Sequence, residues 1–192
     1  MKKLKSQMLL VEFLMRDMLL PGLGISLLLI ITNYILFSVH KSEYWRLFSE
    51  QVAGYNCSQS VAGAFAEELG LPLDTVLKLA QPFGGGMGRM REVCGTFSGA
   101  LFVIGQLYGD TDPKSDNKAR VYTIVQELAA EFRAAHGSLI CREILGFMKN
   151  QETDPAHPSE RNEEFYKKRP CAHVCAATAS LLETYLKTHG RM

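Results

Sequence analysis

From Cys57 onward, apolar residues recur every three or four positions, interrupted by glycine and proline, and this spacing predicts helices almost throughout. Val61, Ala64, Phe65 and Leu69 mark the inward face of a first helix, which Gly70 closes. Pro72-Leu73-Asp74 opens a second, with Val76, Leu77 and Ala80 inward and Pro82 as its stop. A third carries Phe97, Leu101, Ile104 and Tyr108 and ends at Gly109. After a polar turn from Asp110 to Asn117, Val121, Ile124, Val125, Leu128 and Phe132 trace the longest amphipathic helix, ended by Gly137. A short segment, Cys141 to Gly146, follows. Lys149 to Pro170 is polar and charged, an exposed excursion. The last helix starts near Cys171 and is expected to turn Val174, Ala177, Leu181, Tyr185 and Leu186 inward. No segment alternates in the manner of a strand. The expected fold is all-α: one compact bundle of about five helices, with a long polar excursion before the last.

The first forty residues follow a different pattern. Met18 to Val39 is a run of 22 residues without a charge. As a helix it would extend roughly 33 Å, enough for a bilayer core of about 30 Å. Tyr44 and Trp45 lie where an interfacial belt would sit, and Lys2, Lys3, Lys5 and Arg16 outnumber the basic residues that follow closely. Residues 1–40 are therefore an N-terminal extension with a candidate transmembrane helix at 18–39, and 41–192 the cysteine-bearing domain. The extension reads as a single-pass membrane anchor with the N-terminus inside, as a buried or interfacial helical arm, or as an addition from an early start codon. Without an anchor the expected location is cytoplasmic.

Charge narrows the function classes. With 21 basic and 20 acidic side chains the formal net charge is +1, and no basic stripe interleaved with aromatics occurs. Nucleic acid is not an expected partner.

The candidate chemistry is in the cysteines. Of five, Cys57, Cys94, Cys141 and Cys171 each fall at or just before a predicted helix start, 37, 47 and 30 residues apart. A helix N-terminus offers unpaired N–H groups and the positive end of a dipole, both of which favour thiolate. The dipole contributes only about 0.3–1 kcal/mol, so one helix start alone does not activate a thiol strongly. No C-x-x-C pair occurs, which excludes thioredoxin and zinc-ribbon motifs; any shared site is assembled by the fold. Cys175, one turn beyond Cys171, reads as a core residue that would still lie near such a site.

Around the cysteines, Gly84-Gly85-Gly86-Met87-Gly88 invites a nucleotide reading. The element before it is helical, however, and Arg89 stands where a third glycine is needed. The better reading is a flexible loop passing close to something bulky, the cysteine site itself, with Arg89 and Arg91 beside it. Gly85, Gly86, Arg89 and Gly95 are thus the expected contacts to a bound group. His40, His136, His157, His173 and His189 show no ligand spacing, and Ser58 and Ser98 sit in no nucleophile elbow.

Four segments carry a resemblance. Gly54-Tyr55-Asn56-Cys57-Ser58-Gln59-Ser60-Val61, Phe83-Gly84-Gly85-Gly86-Met87-Gly88, Glu92-Val93-Cys94-Gly95-Thr96-Phe97-Ser98-Gly99 and Cys141-Arg142-Glu143-Ile144-Leu145-Gly146 occur in that order, with Cys171 after them. Over about residues 42 to 188 the chain resembles the C-GCAxxG-C-C family of small redox-active proteins. The resemblance implies that Cys57, Cys94, Cys141 and Cys171 are the family's four characteristic cysteines. It also implies, through a related domain in split-Soret cytochromes, an iron–sulfur cluster; covalent haem is not implied, since C-x-x-C-H is missing. Thr96 replaces the alanine of the family's C-G-A-x-x-G, and Cys175 and the N-terminal segment lie outside the pattern.

Two redox readings stand together at this level: four thiolates holding an iron–sulfur cluster, and a dithiol/disulfide relay with Cys94 or Cys57 attacking. Either makes the chain a candidate oxidoreductase or electron-transfer component with a redox partner of unspecified identity. The alternative is a membrane-anchored module that holds zinc or no metal and is structural or accessory to a membrane transporter or dehydrogenase.

Overall fold

The computed structural model describes residues 54–146 and 169–192, all within one compact unit, Glu43–Met192. The expected membrane helix at 18–39, and most of the polar excursion, lie outside the described residues. Among the described residues no helix is long and apolar enough to cross a membrane.

Asn56 starts the first helix, α1 (Cys57–Ala64), with a reciprocal cap. Its side-chain oxygen accepts from the N–H groups of Ser58 (3.1 Å) and Gln59 (3.0 Å), while Gln59 Oε1 accepts from the Asn56 N–H at 3.0 Å. The same two side chains reach forward: Asn56 Nδ2 donates to the Gln81 carbonyl and Gln59 Nε2 to that of Leu77. The cap thereby ties α1 to α2 (Leu73–Ala80) and to the short 3-10 turn Gln81–Phe83 that follows it. Next come α3 (Gly95–Tyr108), α4 (Asn117–His136), the one-turn α5 (Cys141–Ile144) and α6 (Cys171–Thr188). Gly137 ends α4 at φ 79°, with its N–H on the Arg133 carbonyl. The described residues are thus helical and without a strand, in six helices: the expected five and the four-residue α5. One isolated antiparallel bridge pairs Val93 with Ile140.

Helix α1 is the central element, packed against α2, α3 and α6, while α3 and α6 also pack on α4. Val61, Phe65, Val103, Ile104, Leu128, Phe132, Leu182 and Leu186 form the fully buried centre. Each contributes about 1.5–3 kcal/mol by leaving water. Phe97 and Phe132 meet with ring centroids 5.3 Å apart, joining α3 to α4.

One helix face differs from expectation. In α6 the buried residues are Val174, Cys175, Thr178, Ala179, Leu182, Glu183 and Leu186, whereas Ala177 is exposed and Leu181 and Tyr185 are only partly covered. The row Cys171, Cys175, Thr178, Leu182, Leu186 sets the rotation. It includes a threonine and two cysteines that a hydrophobicity pattern underweights.

Helices α1 and α3 approach closely at Gly99, where an added Cβ would lie 2.7 Å from the Ser58 carbonyl oxygen and 3.2 Å from Val61 Cβ. Gly105, in the same helix, has nothing within 4 Å of that position. We therefore expect Gly99→Ala to cost roughly 1–3 kcal/mol of stability and Gly105→Ala to add about 0.5–1 kcal/mol. Urea denaturation of the two variants measures both, and equal shifts of the same sign would refute the close crossing.

Candidate functional site

The four widely spaced cysteines all stand at helix starts. Cys57, Cys141 and Cys171 are the first residues of α1, α5 and α6, and Cys94 is the N-cap of α3. Backbone pairing brings two of them together: the Cys94 N–H donates to the Leu139 carbonyl at 2.8 Å and the Cys141 N–H to that of Glu92 at 2.6 Å. These bonds flank the Val93–Ile140 bridge. Arg142 extends the join, its N–H and Nε both donating to the Arg91 carbonyl at 3.2 Å while its guanidinium pairs with Glu92.

The glycine-rich loop closes around this pair. Gly85, Gly86, Met87, Gly88 and Arg89 are consecutive residues with φ between 58° and 72°, and Arg91 follows at 63°. A left-handed run of this length costs a non-glycine residue roughly 1–2 kcal/mol, so Met87, Arg89 and Arg91 are strained. The loop is not the open, flexible segment expected from its glycines. The Gly88 N–H bonds the Pro82 carbonyl (2.7 Å), Met87 bonds Phe83, Arg89 bonds Gly84, Arg91 bonds Gly85 and Glu92 bonds Gly86.

What the loop passes close to is cysteine. A Cβ added at Gly86 would lie 2.7 Å from Cys141 Cβ, and one at Gly95 would lie 2.5 Å from Cys57 Sγ and 2.8 Å from the Phe83 carbonyl oxygen. The Gly85 N–H donates to the Cys57 sulfur. Glycine is required at 86 and 95 because a side chain would take the space of a thiol or of its own Cβ.

Electrostatics shows that the four sulfurs share one site. Burial is the main cause that pushes the Cys57 thiol up from 9.0 to about 12 and Cys141 to about 11, and it raises Cys171 as well. After burial, the strongest charge acting on each is that of Cys94. Each of the three therefore lies within electrostatic reach of Cys94. Two guanidinium groups oppose the rise. Arg91, which is buried, hydrogen-bonds the Cys141 sulfur and also acts on Cys171; Arg169 acts on Cys171 from two residues upstream. Burial, and then the charge of Arg91, lowers Arg169 itself. No disulfide joins any two of the cysteines among the described residues. Among the described residues, no three His, Cys, Asp or Glu side chains are set to hold a single metal ion.

Two buried hydroxyls complete the surroundings. Cys94 Sγ lies 3.3 Å from Thr96 Oγ1, which lies 3.1 Å from Thr178 Oγ1 on α6; Thr178 also donates to the Val174 carbonyl at 2.6 Å. Cys175 is buried with its sulfur 3.9 Å from the Cys57 carbonyl oxygen, so the fifth cysteine borders the site as well as the core.

The structure thus gathers Cys57, Cys94, Cys141 and Cys171 with Gly85, Gly86 and Gly95. Arg89 lies with its Cα and Cγ close to Gly85, while Arg91 acts on Cys141 and Cys171 and Arg169 on Cys171. Sequence reasoning missed Arg169 and Thr178. Arg169-Pro170-Cys171 carried a signal, a cation one proline away from a helix-start cysteine; Thr178 carried one only through its seven-residue spacing from Cys171. Of the histidines, His136 stands edge-on to Phe132 (4.6 Å) and His189 stacks on Tyr185 (4.0 Å).

A thiol whose folded-state value lies above its unfolded one favours the folded state at low pH, and that contribution disappears as pH rises through the folded value. In reduced, metal-free protein, Cys57 then makes stability fall from pH 9 upward towards pH 12. Between pH 9 and 11 the Cys57→Ser variant should lose about 1–2 kcal/mol less than the parent. Urea midpoints at pH 8, 9, 10 and 11 check this; parallel curves would contradict it.

No curated protein and no solved structure matches the chain. A family model described as "Putative redox-active protein (C_GCAxxG_C_C)" matches residues 55–185, which takes in all five cysteines, the glycine loop, Arg91, Arg169 and both threonines. The chain belongs to the C_GCAxxG_C_C family of putative redox-active proteins.

Proposed function

We propose that the protein is an electron-transfer component whose Cys57, Cys94, Cys141 and Cys171 hold an iron–sulfur cluster. The observation that carries this reading is the gathering of four cysteines from four separate segments around Cys94, with two arginines beside them. The donor set fits such a group: four sulfurs are soft ligands of the kind that select iron–sulfur centres.

A bound cluster would supply one-electron storage. The chain's own residues do the rest. Four thiolates bring excess negative charge into a largely buried site, and Arg91 and Arg169 stand where they offset it. The Gly85 N–H bonds the Cys57 sulfur and Arg91 bonds that of Cys141, and hydrogen bonds to ligand sulfurs set the potential. Packing of Gly86 and Gly95 against the cysteines keeps water from those sides.

One observation favours a second reading, a dithiol/disulfide relay. Cys57 and Cys94 are the most strongly interacting pair at Cys57, and the Cys57 sulfur touches Gly95, the neighbour of Cys94. In that case two electrons and two protons leave as the Cys57–Cys94 disulfide forms, accepted by a disulfide-bearing partner.

Full-length protein purified without oxygen should be brown, absorb in the visible region and contain stoichiometric iron. Cys57→Ser and Cys94→Ser should each lose colour and iron while keeping their far-UV helical signal. A colourless, iron-free protein whose thiol count changes on mild oxidation would replace the cluster with the relay. A colourless protein whose thiols neither oxidise nor bind metal would overturn both.

A further inference from the structure

At the end of α3 away from the cysteines, two cations converge on one aromatic ring. Tyr108 is the last residue of α3 and Cys94 its N-cap, so fourteen residues of helix, about 20 Å, separate the two. Asn117 Nδ2 donates to the Tyr108 carbonyl at 2.6 Å and pins the start of α4 there. Arg120 stands one turn before the buried Ile124, with its guanidinium carbon 5.4 Å from the centre of the Tyr108 ring. The end of α6 supplies the second cation. Gly190 takes φ 64°, and the Arg191 N–H closes on the Leu186 carbonyl at 2.9 Å. Beyond that turn the Arg191 guanidinium carbon stands 4.8 Å from the same ring centre.

Arginine stacked on tyrosine is favourable by itself, and one such contact needs no further partner. Two observations are left over. Arg120 and Arg191 are both exposed and neither forms an ion pair among the described residues; Asp116, one turn before Arg120, is not paired with it. A second cation on one ring therefore stacks against the repulsion of the first. The Tyr108 side chain, in contrast, is buried, only 4% exposed, and its hydroxyl has no hydrogen-bond partner. An orphaned buried donor of this kind is a place for an ion or a water.

The hydroxyl faces the space the arginines share. Burial and then Glu127 push the Tyr185 hydroxyl up to about 12; Tyr108 adds to the rise and Arg120 opposes it. The Tyr108 oxygen, the Arg120 guanidinium and the Tyr185 oxygen are therefore neighbours. Glu127, which accepts from the Tyr185 hydroxyl at 3.1 Å, brings one negative charge against the two positive ones.

We propose that Arg120, Arg191 and the Tyr108 hydroxyl form a binding site for a phosphate group. All three are donors, and they come from three separate places in the fold: the end of α3, the end of α6 and the second turn of α4. A tetrahedral anion has oxygens for three such directions, whereas a carboxylate offers two in one plane. The anion relieves the repulsion between the arginines and accepts the unused proton of Tyr108. Water would answer the hydroxyl and leave the two charges as they are. Both arginine side chains are exposed and long, so they can part to admit the anion to the covered hydroxyl. The site is independent of what the cysteines hold.

Inorganic phosphate added to the full-length protein at low ionic strength should bind saturably in calorimetry and raise the melting temperature, with acetate far weaker. Arg120→Gln and Arg191→Gln should each weaken phosphate binding about tenfold or more. Tyr108→Phe, which removes only the unpartnered hydroxyl, should weaken it less. Arg133→Gln, at an exposed position on α4 outside the site, should leave it unchanged. Methyl phosphate separates the two sources of the group: binding equal to that of inorganic phosphate supports a site for phosphate esters, and loss of binding supports one for the free ion. Absence of saturable binding at millimolar phosphate would overturn the site. So would equal binding of acetate, or an effect of Arg133→Gln as large as that of Arg191→Gln. Should Tyr108→Phe lose its helical signal, the two arginine variants, which alter exposed side chains, decide by the same titration.

Discussion

Four sulfurs that repel one another when ionised are held around Cys94 where water reaches them poorly, and the rest of the site answers that constraint. Left alone, such a group keeps its protons, as the raised values of Cys57 and Cys141 show. Arg91 and Arg169 supply opposite charge at a cost to Arg169, whose own protonation burial and its neighbour disfavour. Arg91 needs a left-handed backbone to be there. A strained residue kept in place by surrounding hydrogen bonds, in a loop that lies against Cys57 and Cys141, is where strain has a use.

The assembly depends on local devices more than on the hydrophobic core. The Asn56–Gln59 cap fixes the start of α1 and so the position of Cys57, and reaches α2 as well. Two backbone bonds beside the Val93–Ile140 bridge fix Cys94 against Cys141. Gly86 and Gly95 allow main chain to lie against side chain where a methyl group would not fit. The large core of α1, α3, α4 and α6 serves as the frame that holds these short-range arrangements in register. It also closes the site from behind through Thr178 and Cys175, which belong to the buried face of α6.

Membership of the C_GCAxxG_C_C family of putative redox-active proteins stands beside the gathering of the four sulfurs in this chain. Burial raises Cys57, Cys141 and Cys171, and Arg91 bonds Cys141. A chain with the same cysteines and different neighbours at 91, 96 and 169 would meet the same repulsion with different means.

The helical class, the helix starts at the cysteines and the close passage of the glycine loop were legible in the sequence, because each depends on neighbours a few positions away. Caps, glycine stops and three-to-four periodicity act within a turn or two of chain. Three things were not legible. The rotation of α6 put Thr178 inward and Ala177 out, since packing against α1 and α3 outweighed a hydrophobic stripe that was weak to begin with. Arg169 reached Cys171 from two residues upstream, across Pro170, a reach that helical periodicity does not register. The meeting of positions 57, 94, 141 and 171 was decided only in three dimensions. Separations of 30 to 47 residues carry no local signal, and burial and mutual repulsion of thiols exist only once the helices have closed around them.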